Sequence, residues 1–165
     1  MTRVEHPLSP VYDRNSKILI LGTMPSPKSR EYGFYYSHPQ NRFWRVVSEL
    51  YGQPLPKTNE EKTAFLLRCR IALWDVLKSC SIEGADDGSI RDPVPNDIAG
   101  LLAKTKIRAV FTTGTKAFSL YHKLCLKQTG VPAIALPSTS PANCRHYNYE
   151  KLVEAYRVLP GYTSE

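Results

Sequence analysis

No CxxC pair occurs in this chain, and its four cysteines, Cys69, Cys80, Cys125 and Cys144, are separated by 11, 45 and 19 residues. Those intervals match neither a zinc site nor a disulfide framework. Cys125 falls on an apolar helical face, where a thiol packs rather than ligates. No metal and no iron–sulfur cofactor is therefore expected, and reduced, mostly buried cysteines point to a cytoplasmic setting. Long apolar runs are also missing; none approaches the ~20 residues of a membrane span. The opening Met1-Thr-Arg-Val-Glu-His-Pro7 has no apolar h-region, so a secretory leader is not expected. A GxSxG elbow is absent, which removes local support for a serine hydrolase. Acid is scarce: 15 Asp and Glu stand against 22 Lys and Arg, a net charge of +7. At 42% hydrophobic residues the chain is nonetheless too apolar to be disordered. Its 165 residues suit one domain, 1–165, with a core over about 17–159.

What is present begins with that basic excess, which points to acidic partners and to nucleic acid first. The aromatics sharpen it. Of 17 in the chain, seven lie between Tyr32 and Tyr51, with Arg30, Arg42 and Arg45 in or beside the same stretch. Aromatic rings interleaved with arginine suit base stacking combined with phosphate contact. Phe43 is the exception: it keeps helical step with Val46, Val47 and Leu50 and reads as core.

The order of elements predicts an α/β chain. Lys17–Leu21 is a continuous apolar run stopped by Gly22, the pattern of a buried parallel strand. Thr23 to Gln40 reads as a long loop rich in Pro, Ser, Gly and Tyr, and loops of that length are usually functional. A helix is predicted over 41–51 and another after the capping box Thr58-Asn-Glu-Glu61. Ile71–Leu77 predicts a second strand, 79–95 a loop, and Asn96 or Asp97 a helix cap. Arg108–Thr113 predicts a third strand, with a helix from Thr115 carrying Ala117, Leu120, Tyr121, Leu124 and Cys125 on one stripe. Val131–Leu136 predicts a fourth strand, and Tyr149, Leu152, Val153 and Tyr156 a last helix ended by Pro160 and Gly161. Alternating strands and helices imply a three-layer α/β/α fold with a four-stranded, mainly parallel central sheet. Ligands of such sheets bind beyond the carboxyl ends of the strands. Three loops leave those ends: Gly22–Gln40, Gly114-Thr115 and Pro137–Arg145.

Within the first loop, Gly22-Thr-Met-Pro-Ser-Pro-Lys28-Ser29 comes close to GxxxxGK[ST] but has Pro27 for the second glycine. Pro25 and Pro27 lack the N–H groups that cradle phosphate, so nucleotide hydrolysis is not expected. In His38-Pro-Gln-Asn41-Arg-Phe-Trp44, Pro39 biases His38 toward extended backbone and Asn41 sits where the helix begins. The Asn41 amide can donate and accept at once, which suits a water or a base edge; it can equally be a plain helix cap. Pro137-Ser-Thr-Ser-Pro-Ala-Asn143 is a stiff run of small hydroxyls, expected to face them outward to phosphate or into a duplex, or simply to join a strand to a helix.

Taken together, Gly22-Thr-Met-Pro-Ser26, Gly33-Phe-Tyr-Tyr-Ser-His-Pro-Gln-Asn-Arg-Phe-Trp44 and Leu136-Pro-Ser-Thr-Ser-Pro141 resemble the uracil-DNA glycosylase superfamily. The whole pattern is most similar to its hypoxanthine-DNA (deoxyinosine) glycosylase family, over about Ile18 to Leu159. The resemblance implies a monofunctional glycosylase that releases a deaminated base from DNA in base excision repair, without a cofactor; a monomer is the default for a DNA enzyme of this size. Asn41 would be its catalytic residue. Gly22, Thr23, Met24, Pro25 and Ser26 would line the base pocket with Phe34, Tyr36, His38 and Gly114, the flipped base stacking on Tyr36. Lys28, Arg42 and Arg145 would contact DNA, together with the loop Ser138, Thr139, Ser140, Pro141, Ala142 and Asn143. Two departures stand out: Met24 and Leu136 occupy positions that are polar in other branches of the superfamily.

That resemblance leaves three readings. The first is excision of a deaminated base, hypoxanthine foremost, by base flipping and water attack. The second is a uracil or thymine mismatch glycosylase, which Met24 and Leu136 disfavour because a base edge without polar partners is poorly recognised. The third is a basic module that binds nucleic acid without catalysis. Asp75 and Asp87 are the nearby carboxylates to consider as bases.

Overall fold

In a computed structural model that describes residues 1–164, the centre is a sheet of four parallel strands. These are β2 (Ile18–Gly22), β3 (Ile71–Asp75), β6 (Ala109–Thr113) and β7 (Ala133–Leu136), in the order β3-β2-β6-β7. All five residues of β2 are buried, as a strand covered on both faces must be. Its side chains alternate between two separate cores. Ile18 and Ile20 face one with Phe43, Val46, Val47, Phe65, Leu152 and Tyr156; Leu19 and Leu21 face the other with Ile98, Leu101, Leu120 and Tyr121. The helices therefore divide between two layers. One holds α2 (Phe43–Leu50), α3 (Asn59–Arg68) and α7 (Tyr149–Tyr156); the other holds α4 (Ile98–Ala103) and α5 (Thr115–Leu124). Each fully buried β2 side chain contributes roughly 1.5–3 kcal/mol by leaving water. The three-layer expectation agrees with this arrangement.

Several boundaries differ from the sequence reading. The segment 79–95, expected as a loop, is an antiparallel hairpin of β4 (Leu77–Glu83) and β5 (Asp86–Pro95), turned at Gly84, whose φ is +55°. Register shifts break its ladder in three places, and its outward residues are Lys, Ser, Asp and Arg, so no clean two-residue alternation reaches the sequence. A first strand, β1 (Thr2–Glu5), pairs along β4 and completes a small second sheet, β1-β4-β5.

Inside the long loop 23–40 stands α1 (Pro27–Tyr32). Ser26 caps it by accepting from the Ser29 N–H, Pro27 opens it, and left-handed Gly33 closes it. The helix expected from Asn41 begins at Phe43. β7 begins only after Pro132, which has no N–H for the ladder. Pro160 and Gly161 do not end the chain's helices: they lie within a short α8 (Leu159–Thr163), where proline in the first turn is tolerated.

Candidate active site

All four central strands point their carboxyl ends at one region, and a cavity of about 340 Å³ opens there. Its floor is set by a glycine. Gly22 ends β2 opposite Asp75, which ends β3. A Cβ on Gly22 would stand 2.5 Å from Asp75 Oδ1, 3.4 Å from the Tyr36 hydroxyl and 3.6 Å from Thr113 Oγ1. Only glycine lets the Asp75 carboxylate come this close to the strand end; the Tyr36 and Thr113 hydroxyls stand at ordinary contact distance. Asp75 is 4% exposed, and its Oδ2 lies 2.8 Å from His6 Nε2.

Tyr36 is held from two sides. Its ring stacks on Phe43 with centroids 4.2 Å apart and planes 15° from parallel, and its hydroxyl lies 3.2 Å from Thr113 Oγ1. Burial, reinforced by the nearby Asp75 charge, pushes its phenol pKa well up, so it stays a neutral hydrogen-bonding group. Its φ of +55° is left-handed, a strained state for an aromatic residue and of the kind that collects at functional sites.

Asn41 lines the same cavity, with one half of its amide already committed. Oδ1 accepts from the Phe43 N–H at 2.9 Å and from the Thr139 hydroxyl at 2.7 Å. Both lone pairs are used, so the cap role and the site role are divided between the two ends of one side chain. Nδ2 has no partner among the described residues and is not sealed from solvent. What the cavity receives from Asn41 is thus a donor, whereas the sequence reading allowed a donor and an acceptor together.

Gly22, Thr23, Met24, Pro25, Ser26, Tyr36 and His38 all line the cavity, joined by Ser138, Thr139, Ser140, Pro141 and Ala142 from the second loop. Ser26 does so while capping α1. His38 Nδ1 accepts the Gln40 N–H at 3.1 Å, which leaves Nε2 as the outward nitrogen. Asp87 reaches the rim from the hairpin; loss of hydration on its cavity side raises its carboxyl pKa, and Lys116 and the Thr23 hydroxyl pull it back.

Other expected residues lie elsewhere. Phe34 is core, 8% exposed, packed between Tyr35 and Trp44, and does not line the cavity. Gly114 caps α5 with φ +93° and stands behind Ser138 rather than in the cavity wall. Arg42 is 6% exposed; its guanidinium donates to the Tyr147 and Ser140 carbonyls, so it ties the second loop to the start of α7 inside the protein. The loop's hydroxyls were expected outward, yet Ser138 and Ser140 accept loop N–H groups, and Thr139 is 1% exposed beneath Asn41. Asn143 Nδ2 closes the loop onto the Ser138 carbonyl. Lys28 and Arg145 are exposed outside the cavity.

Seven lining residues escaped the sequence reading in that role: Ser29, Arg30 and Tyr35 from the first loop, Ile82, Gly84 and Ala85 from the hairpin, and Thr113. Thr113 was legible as the last residue of a strand. His6, behind Asp75, carried no signal beyond the weak alternation of Thr2 to Glu5.

The fold and this cavity define a class, and comparison with known proteins agrees. The Uracil DNA glycosylase superfamily profile matches residues 9–159, and the chain belongs to that superfamily. A curated Methanosarcina acetivorans protein called hypoxanthine DNA glycosylase is 42% identical over 137 residues, 82% of this chain and 85% of that one. Its Methanosarcina barkeri namesake is 34% identical over 144 residues, 86% and 90% of the two chains. The solution NMR structure of an M. acetivorans protein assigned as a uracil DNA glycosylase superposes with a TM-score of 0.77 at 36% identity, covering 92% of this chain and 96% of that one.

Proposed function

We propose that this chain is a monofunctional DNA glycosylase that hydrolyses the N-glycosidic bond of hypoxanthine in DNA. The observation that carries the reading is that Asn41 Nδ2 and the Tyr36 ring share one cavity at the carboxyl ends of the strands. The relatives called hypoxanthine DNA glycosylase support the choice of base.

The target base leaves the stack at a cost of a few kcal/mol, least for a base that pairs poorly. It slides onto Tyr36, whose other neighbour, Phe43, keeps the ring from yielding. As the bond breaks, positive charge grows on the sugar and negative charge on the departing base. Backbone N–H groups at Thr23 and Met24 stabilise the base anion in the manner of an oxyanion hole. Asn41 Nδ2 donates to the oxygen of a water beneath C1′, and that water keeps a lone pair for attack. A neutral amide is no strong base, so this assignment requires the bond to be largely broken before water adds. Base, sugar and water then account for all the atoms: the water oxygen joins C1′, and its proton balances the base anion.

The experiment is a screen of the purified chain on duplexes carrying hypoxanthine, uracil, xanthine or ethenoadenine. Alkali-labile abasic sites are expected to form fastest at the hypoxanthine position. Binding without abasic sites on any of the four would replace the enzyme by a nucleic-acid-binding module. Faster release of uracil would select the mismatch reading, against the apolar Met24 and buried Leu136.

A further inference from the structure

Among the described residues, one permanent cation lines the cavity, and the bond-breaking chemistry above gives it no task. That cation is Arg30 of α1. Its neighbour fixes where it stands. Ser29 is 3% exposed; its hydroxyl oxygen accepts the Ser37 N–H at 3.2 Å and the Ser26 hydroxyl at 3.3 Å. Those bonds tie α1 to the turn that carries Tyr36, so Arg30 keeps a set position relative to the stacking ring. Lys28, on the same helix, is engaged elsewhere: it pairs with Glu31 at 3.2 Å and lies over the Tyr32 ring. The Arg30 guanidinium has neither hydrogen bond nor ion pair among the described residues, although Arg30 is half-buried. The hairpin contributes Ile82, Gly84, Ala85 and Asp87 to the same cavity, and the Asp87 charge is answered by Lys116 and the Thr23 hydroxyl rather than by Arg30. A half-buried guanidinium with all its donors open is completed by a ligand that brings acceptors.

We infer that Arg30 is a specificity-determining residue that donates from two of its nitrogens to O6 and N7 of a flipped 6-oxopurine. This deepens the glycosylase reading above and rests on it. A guanidinium only donates, and its rigid fork matches two adjacent acceptors. A DNA ligand offers such a pair in two places, at a phosphate and at the O6/N7 edge of a 6-oxopurine. Charge decides between them. Asp75 and Asp87 line the same cavity, and a phosphate brought among two carboxylates meets repulsion that a neutral base edge does not. Adenine keeps the N7 acceptor but carries an amino group at C6, which faces the guanidinium donor to donor. Uracil has one acceptor on the corresponding edge, O4, beside a C–H. The fork that fits hypoxanthine therefore rejects its parent base and disfavours the pyrimidine. Guanine carries the same two acceptors, and its firm pairing with cytosine holds it in the stack.

N7 takes no part in Watson–Crick pairing, so replacing it by C–H removes one contact and leaves the pairing of the target base unchanged. The test is affinity for duplexes carrying 2′-fluoro-2′-deoxyinosine, whose electron-poor sugar resists cleavage, or its 7-deaza counterpart. Wild type should bind the 7-deaza duplex ~10-fold more weakly, within the worth of one bidentate contact to a purine. In Arg30→Ala, affinity for the inosine duplex should fall by at least that factor, and the 7-deaza penalty should shrink below ~2-fold, the non-additivity of two partners in contact. Arg30→Met, which keeps an unbranched stem of similar length, should behave alike and so separate lost donors from lost packing. A penalty that persists in both variants, or that wild type does not show, overturns the inference. So does an equal loss on both duplexes and on undamaged DNA with a salt slope shallower by about 1, which would make Arg30 a phosphate contact. Each of these outcomes leaves the glycosylase reading intact if wild type forms abasic sites at deoxyinosine. A wild type that forms none overturns both.

Discussion

Arg42 and Asn41 are adjacent in sequence and do opposite things, and each is testable alone. Arg42 is buried and bonded to two carbonyls. Arg42→Ala should lower the melting temperature and leave the salt dependence of DNA affinity unchanged. Arg145→Ala, at an exposed position, should reduce the slope of log K against log salt by about 1, one phosphate contact's worth. Equal slopes for both variants would return Arg42 to the DNA interface. Phe43 is fully buried and is the platform for Tyr36. Phe43→Ala should cost about 3–5 kcal/mol in denaturant unfolding. That Asn41 lines the cavity was legible because its string is long and specific. What the sequence could not supply was the orientation of its amide, which depends on Thr139, 98 residues away.

Among elements, α3 is the one whose start the sequence spells out. Thr58 accepts from the Glu61 N–H, and Glu61 Oε1 accepts from the Lys57 and Thr58 N–H groups. Those backbone donors hold the Glu61 carboxyl below its ordinary pKa. A depressed carboxylate stabilises the fold above its unfolded pKa, and that contribution is lost as pH falls through the folded value. The melting difference between wild type and Glu61→Ala should therefore shrink on acidification below the ordinary glutamate range. Thr58→Ala should cost about 1 kcal/mol by urea unfolding. The four central strands and α2, α3, α5 and α7 were similarly legible, because each is an apolar run or stripe of its own. The β4–β5 hairpin was not. Its bulges break the alternation, and its pairing partner β1 lies some 75 residues upstream in a stretch with one buried residue. That failure had a consequence for the site, since β1 leads directly to His6.

At the scale of the whole molecule, one basic chain builds two cores on either side of a sheet and leaves its chemistry at one edge. Its thiols report that burial. Cys80 and Cys125 are buried and Cys144 is exposed beside the second loop. Burial pushes the Cys125 thiol up to about 11 and the Cys69 and Cys80 thiols upward as well. Native protein should show one fast-reacting thiol, lost in Cys144→Ser, and four after denaturation. The central claim, however, is that the Asn41 amide works on a base held by Tyr36 in a shared cavity. Its most direct test is the single-turnover rate of hypoxanthine release from an inosine duplex by Asn41→Ala, with duplex affinity measured alongside. The account predicts a rate lowered by ~10²–10³-fold, the usual effect of removing one preorganised donor, at nearly unchanged affinity. A variant as fast as wild type would contradict it.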